Sequence, residues 1–305
     1  MQRKNILFLV LLLIVGCFLL TLVPFQTHFQ DKTCRCVRIP VSFFPFSTNP
    51  LIKITIEEKQ YTFLIDTGSS HGLDLHKRVL ERIQEKKFIK IAQYSDMQGI
   101  SYPVSQFRVP EVTLHQNLRL NGVIAHEEST DFLIKGTNGG RARSFSGKIK
   151  EQLGLFFIDG RIGWPSFEQM VCFFDFKNAS LFLAKDMEAL QNEGGFVLDD
   201  FIQVPLELSR CGPILSIKTE EGIKKFLLDT GASHSVYKEP DLQLTDAIHL
   251  ALNIAGYDFG SWDFWPYPIA SDFIRELDGI LGVDFFKTHA VCFDFQEGYT
   301  YIRKL

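Results

Sequence analysis

The chain has 305 residues, 46% of them apolar and 29 of them phenylalanine, which is enough material for two cores of ordinary size. Its formal charge of −4 is small for that length, and no basic stripe with interleaved aromatics runs along it, so nucleic acid is not an expected partner. Of the six cysteines one lies in an apolar N-terminal run, leaving Cys34, Cys36, Cys172, Cys211 and Cys292, an odd set that cannot pair completely within one chain.

Gln2-Arg3-Lys4 precedes an apolar run from Ile6 to Val23. Its length comes close to that of a bilayer core, and the positive flank predicts a membrane anchor over residues 6–23 whose N-terminal end stays in the cytoplasm. A cleaved signal peptide is the competing reading. Ile14-Val15-Gly16-Cys17 is also similar to a bacterial lipoprotein box, although the residues after Cys17 stay apolar. All three readings put the rest of the chain outside the cytoplasm, with residues 1–36 as anchor or signal plus stem.

Residues 37–185 read as short alternating strands, of which Leu51 to Ile56 is a clear example. The run Tyr61-Thr62-Phe63-Leu64-Ile65 leads into Asp66-Thr67-Gly68-Ser69-Ser70-His71. Gln93 to Tyr102 reads as a hairpin, with Gly99 at its tip and Tyr94 and Tyr102 flanking it. Lys135 to Lys150 is a Gly-rich basic loop without one acid, read as a solvated surface loop; a processing site or a patch for an acidic partner are the alternatives. Asp159-Gly160-Arg161-Ile162-Gly163, the pair Asp175-Phe176 and a strand Ser180-Leu181-Phe182-Leu183 close this part. Residues 186–200, acidic and carrying Gly194-Gly195, read as a linker.

Residues 201–305 then repeat the plan. Lys225-Phe226-Leu227-Leu228 leads into Asp229-Thr230-Gly231-Ala232-Ser233-His234, followed by Asp278-Gly279-Ile280-Leu281-Gly282, Asp294-Phe295 and Tyr299-Thr300-Tyr301-Ile302. Pro50 and Pro213 stand at the same distance before the two Asp-Thr-Gly phrases. One such phrase is weak evidence. Two in matched contexts make the chain a tandem repeat with one carboxylate per repeat. Cys172 and Cys292 are offset by one residue between the repeats, which predicts opposite faces of a strand. A disulfide from Cys34 or Cys36 to Cys211 is left open.

From Ile39 to Leu305 these motifs resemble the pepsin and retropepsin clan of aspartic proteases, with a retropepsin-like second repeat and both repeats on one chain as in pepsin. The resemblance implies an all-β, bilobal acid-protease fold with the active site between two β-barrel-like lobes. It implies an aspartic endopeptidase in which Asp66 and Asp229 activate a water between them, one as base and one carrying a shared proton. Substrate polypeptide lies extended in the interlobe cleft. No metal or cofactor is expected, and the chain is expected to be a monomer. Gly68 and Gly231 let the backbone turn beside each carboxylate. By resemblance Thr67 and Thr230 hydrogen-bond across the lobe interface, and Ser69 bonds the outer oxygen of Asp66, which Ala232 cannot do for Asp229. A single flap over both aspartates is expected from Tyr94, Gly99 and Tyr102. His71 and His234 are read as packing residues. Arg161 departs from the pattern, standing where the second repeat has Ile280; if buried it needs a carboxylate partner, and otherwise it reaches the surface. The alternative from another class is a catalytically silent protease-fold module that binds peptides or a partner protein.

Overall fold

Alternating apolar residues and tight turns build the same hairpin twice. Strand Pro50–Ile56 pairs with Lys59–Asp66, from Leu51 opposite Leu64 to Ile56 opposite Lys59. Its two-residue turn puts Glu57 and Glu58 at φ 47° and 64°, the left-handed pair that matches strand twist. Strand Pro213–Thr219 pairs with Gly222–Leu228 on the same plan, with Ile214 opposite Leu227. This computed structural model describes residues 26–30, 33–43, 48–95, 101–128, 158–239, 246–268 and 275–305. The apolar run 6–23, the basic loop Lys135 to Lys150 and Gly99 lie outside the described residues.

The described residues are mostly β, in three sheets. A nine-stranded sheet is built from the N-terminal half and a seven-stranded sheet from the C-terminal half. In each, a short strand runs parallel to the one that ends at the Asp-Thr-Gly phrase: Gly160–Gly163 beside Phe63 to Asp66, and Gly279–Leu281 beside Phe226 to Leu228. A third, six-stranded sheet mixes the halves, with Val171–Asp175 of the first repeat paired to His289–Asp294 of the second. There Cys172 lies opposite Phe293 and Cys292 opposite Phe173. The two thiols fall into different core clusters, as their one-residue offset implies. None of the five described cysteines is in a disulfide, so the one left open for Cys211 does not form.

Within residues 186–200, read as a linker, Asp186 accepts from the Ala189 N–H at 2.8 Å and starts a helix, Met187–Gly194, that ends on Gly195 at φ 69°. That helix has eight residues, about 12 Å at the usual rise, far short of a ~30 Å bilayer core. Among the described residues no helix is long and apolar enough to cross a membrane. The membrane anchor expected over residues 6–23 falls outside the described residues, and the localisation is corrected to what is shown: the described part of the chain contains no membrane-spanning helix.

The C-terminal core holds a buried histidine whose titration can be read in stability. His289 is 1% exposed and its ring stacks on Phe285 with centroids 4.1 Å apart. Burial pushes its pKa down to about 4 from 6.5, against the opposing pull of the Phe285 carbonyl. A depressed histidine stabilises the fold above the unfolded pKa, and that contribution is lost as pH falls from 6.5 towards 4. Urea unfolding at pH 7 and pH 4.5 should show the acid-induced loss reduced in His289→Phe, by a few kcal/mol at most. An unchanged pH dependence would show that His289 does not carry it.

Candidate functional site

The two Asp-Thr-Gly phrases meet back to back. The Thr67 N–H donates to Thr230 Oγ1 at 3.1 Å and the Thr230 N–H to Thr67 Oγ1 at 3.0 Å. Each hydroxyl in turn donates to the far strand, Thr67 Oγ1 to the Leu228 carbonyl at 2.7 Å and Thr230 Oγ1 to that of Ile65 at 2.8 Å. Both threonines are fully buried, so these four bonds fix the separation of the loops.

The glycines allow the carboxylates to meet. A Cβ on Gly68 would lie 2.5 Å from Cγ of Asp229, and one on Gly231 would lie 2.4 Å from Oδ1 of Asp66. Each glycine thus makes room for the opposite aspartate rather than for its own. The Gly68 N–H reaches Asp66 Oδ1 at 3.1 Å and Asp229 Oδ1 at 3.2 Å, while the Gly231 N–H donates to Asp229 Oδ1 at 2.7 Å. Burial first, and the neighbouring Asp66 second, push the Asp229 carboxyl well above the usual carboxylate range.

Around Asp66 the arrangement differs from expectation. Ser69 Oγ lies 3.3 Å from Asp74 Oδ2 and accepts from the His71 N–H, so it does not serve Asp66. Arg161 takes that place. Its Nη1 donates to Asp66 Oδ2 at 3.1 Å, Nη2 lies 3.1 Å from Asp74 Oδ2, and Nε lies 3.0 Å from Glu128 Oε1. Of the two fates open to Arg161, burial against carboxylates is the one adopted, because strand Gly160–Gly163 points it to the same side as Leu64 and Asp66.

This cluster splits its acids. Burial raises the Asp74 carboxyl, but Arg161 and then His71 overcome it and hold the group well below its ordinary range. For Glu128 burial wins over Arg161, and with Asp74 and Asp66 nearby its pKa rises to about 7. His71 Nδ1 sits 2.6 Å from Asp74 Oδ1, and its ring stacks on His126 with centroids 3.6 Å apart. Burial and then His71 push His126 down to about 4. The repeated histidine is therefore a packing and hydrogen-bonding group in the first phrase.

His71, Asp74 and His126 place ligand atoms within 4.8 Å of one another. The two imidazoles are only 14° from coplanar stacking, so their in-plane lone pairs run side by side and cannot converge on one ion, and Asp74 is already engaged by Arg161. The set does not fit a metal in this arrangement.

Tyr94 and Tyr102 face each other across the hairpin of Lys87–Ser95 and Ser101–His115, rings 5.2 Å apart, and Tyr94 also lies 4.9 Å from the His71 ring. Ser101–His115 with Leu118–Glu128 corresponds to Ile248–Ile254 with Tyr257–Tyr267, since both hairpins touch the equivalent strand through Thr113 and Asn253. Among the described residues the second repeat has no strand equivalent to Lys87–Ser95.

Several residues escaped the sequence reading. Asn49 donates to the Gly231 carbonyl at 2.7 Å and accepts from Ser233 Oγ at 2.8 Å, bracing the second loop from the first half. Asp159 and Asp278 accept from the Thr62 and Lys225 N–H groups, each at 2.8 Å, and pin the entry to each aspartate-bearing strand. Their repetition in equivalent positions was the available signal. Asp74 and Glu128 belong to no motif, and only an unexplained Arg161 pointed to them.

No protein-family model matches this chain, and no curated protein does. Solved structures do. The crystal structure of basic 7S globulin from soybean aligns with a TM-score of 0.55 at 9% identity, covering 88% of this chain and 95% of that one. Conglutin gamma, described as a unique basic 7S globulin from lupine seeds, aligns with a TM-score of 0.53 at 10% identity over 89% and 95%. Both structures are named as basic 7S globulins, and no protease family model or curated protease matches the chain, so the identification with the pepsin and retropepsin clan and the description as an aspartyl protease are corrected. At such low identity the likeness shows a shared fold between this chain and the basic 7S globulins.

Proposed function

We propose that this chain is a catalytically silent module of two lobes that binds polypeptide in extended form in the groove between them. The observation that carries this reading is the Arg161 guanidinium on Asp66 Oδ2. Water activation between paired carboxyls needs a carboxylate oxygen free to take a proton. Here Asp66 Oδ1 accepts from Gly68 and Oδ2 from a buried guanidinium, so a proton taken from a water at Oδ2 would stand against that positive charge. The likeness in fold to structures named as globulins supports the same reading. Binding survives the loss of chemistry, because strand-like main-chain hydrogen bonds to an extended peptide do not use the aspartates.

A second reading, aspartic-type hydrolysis at Asp66 and Asp229, is favoured by one observation: the Asp229 carboxyl, raised above its ordinary range by burial and by Asp66, is held beside Asp66 by the threonine lock. The full chain should be incubated with a diverse peptide pool over a range of pH, with and without a statine-type inhibitor. Retention of peptides without cleavage products by mass spectrometry is the expected result. Inhibitor-sensitive cleavage that disappears in folded Asp66→Asn and Asp229→Asn would overturn the silent reading in favour of the second.

A further inference from the structure

Beside Arg161 lies a small recess of about 10 Å³, lined among others by His71, Asp74, Tyr94, Tyr102, Glu127 and Glu128. That is room for one water-sized group. We propose that this recess is a subsite for an ammonium group of the bound polypeptide, supplied by a lysine side chain or a free α-amine. The inference rests on the peptide-binding reading above and names what that groove prefers.

Three features point to this chemistry. Glu128 is nearly buried, its side chain 2% exposed, yet neither of its carboxylate oxygens receives a hydrogen bond. Arg161 Nε is 3.0 Å from Oε1, in ion-pair reach but without hydrogen-bonding geometry. A buried carboxylate left without donors is costly, and a group that brings them is bound in proportion. Next, the recess is rich in acid: Asp74, Glu127 and Glu128 line it against the single guanidinium of Arg161, which repels an anionic side chain and favours a cation. Finally, the paired rings of Tyr94 and Tyr102 form an aromatic wall, and an ammonium lying against such faces is stabilised further. An apolar side chain of the same size would leave Glu128 without a donor.

The test uses the full chain and the tightest-binding peptide recovered from the pool. Each position is replaced in turn by lysine, norleucine or glutamate, with the N-terminus free or acetylated, and affinity is read by fluorescence anisotropy. At one position, or at the free terminus, the amine should bind about tenfold tighter than its neutral counterpart. The free and acetylated arms separate an α-amine from a side chain. In Glu128→Gln the preference should shrink to about threefold or less while the norleucine peptide binds as before. Competition on the wild-type chain by n-butylammonium, but not by n-butanol, reaches the same decision if that variant does not fold. Peptide binding with no amine preference, or a preference undiminished in folded Glu128→Gln, overturns the inference and leaves the peptide-binding reading standing. Failure of every peptide to bind overturns both.

Discussion

Replacing Arg161 by leucine is expected to lower the unfolding free energy by about 3–5 kcal/mol. The guanidinium lies within 3.1 Å of oxygens from three carboxylates, Asp66, Asp74 and Glu128, in a site where its own exposure is 9%. Burial alone works against its charge, and Glu128, Asp74 and Asp66 outweigh that, holding the proton more firmly than in water. Removing the cation leaves its partners in low dielectric without a counter-charge, which costs more than the pairs themselves contribute. Urea unfolding at pH 7 reads the loss as a lower midpoint with an unchanged slope. Adding Asp74→Asn and Glu128→Gln to Arg161→Leu should recover part of it, because the orphaned charges are then gone. A loss below about 0.5 kcal/mol for the single change would mean that solvent reaches the cluster and the ion pairs are worth no more than surface ones.

Thr67→Val should cost about 2–4 kcal/mol, whereas Thr67→Ser should cost much less. Valine keeps the shape but removes a hydroxyl that accepts from the Thr230 N–H at 3.0 Å and donates to the Leu228 carbonyl at 2.7 Å. Both orphaned groups are in the interior, where each unsatisfied partner costs about 1–3 kcal/mol. Serine preserves both bonds. Thermal or urea unfolding of the pair decides it: equal losses in valine and serine would show that packing of the methyl group, not the hydrogen bonds, holds the loops together. The same valine change should weaken peptide binding, since the two halves meet through these loops.

Much of the architecture was legible in the residues alone. The doubled Asp-Thr-Gly phrase and the doubled Asp-Gly motif are local patterns, and local patterns specify strands, turns and the places where a Cβ cannot stand. They brought out the β fold, the paired aspartates, the glycines between them and the threonine positions, because repetition turns weak signals into a strong one. The one-residue offset of Cys172 and Cys292 likewise followed from the period of a strand, and the structure puts them in separate cores.

What lay outside local pattern was decided only by the tertiary structure. Whether Arg161 reached solvent or turned inward depended on Asp74 and Glu128, which come from strands Leu73–His76 and Leu118–Glu128 far apart in the chain. Ser69 was expected at Asp66, but a cation outcompetes a neutral hydroxyl for a carboxylate oxygen, and the serine turned to Asp74 instead. The doubled motifs were therefore present in a site whose electrostatics they do not encode. A sequence motif records which residues are neighbours along the chain; the charge that reaches a carboxylate is set by every strand that folds over it.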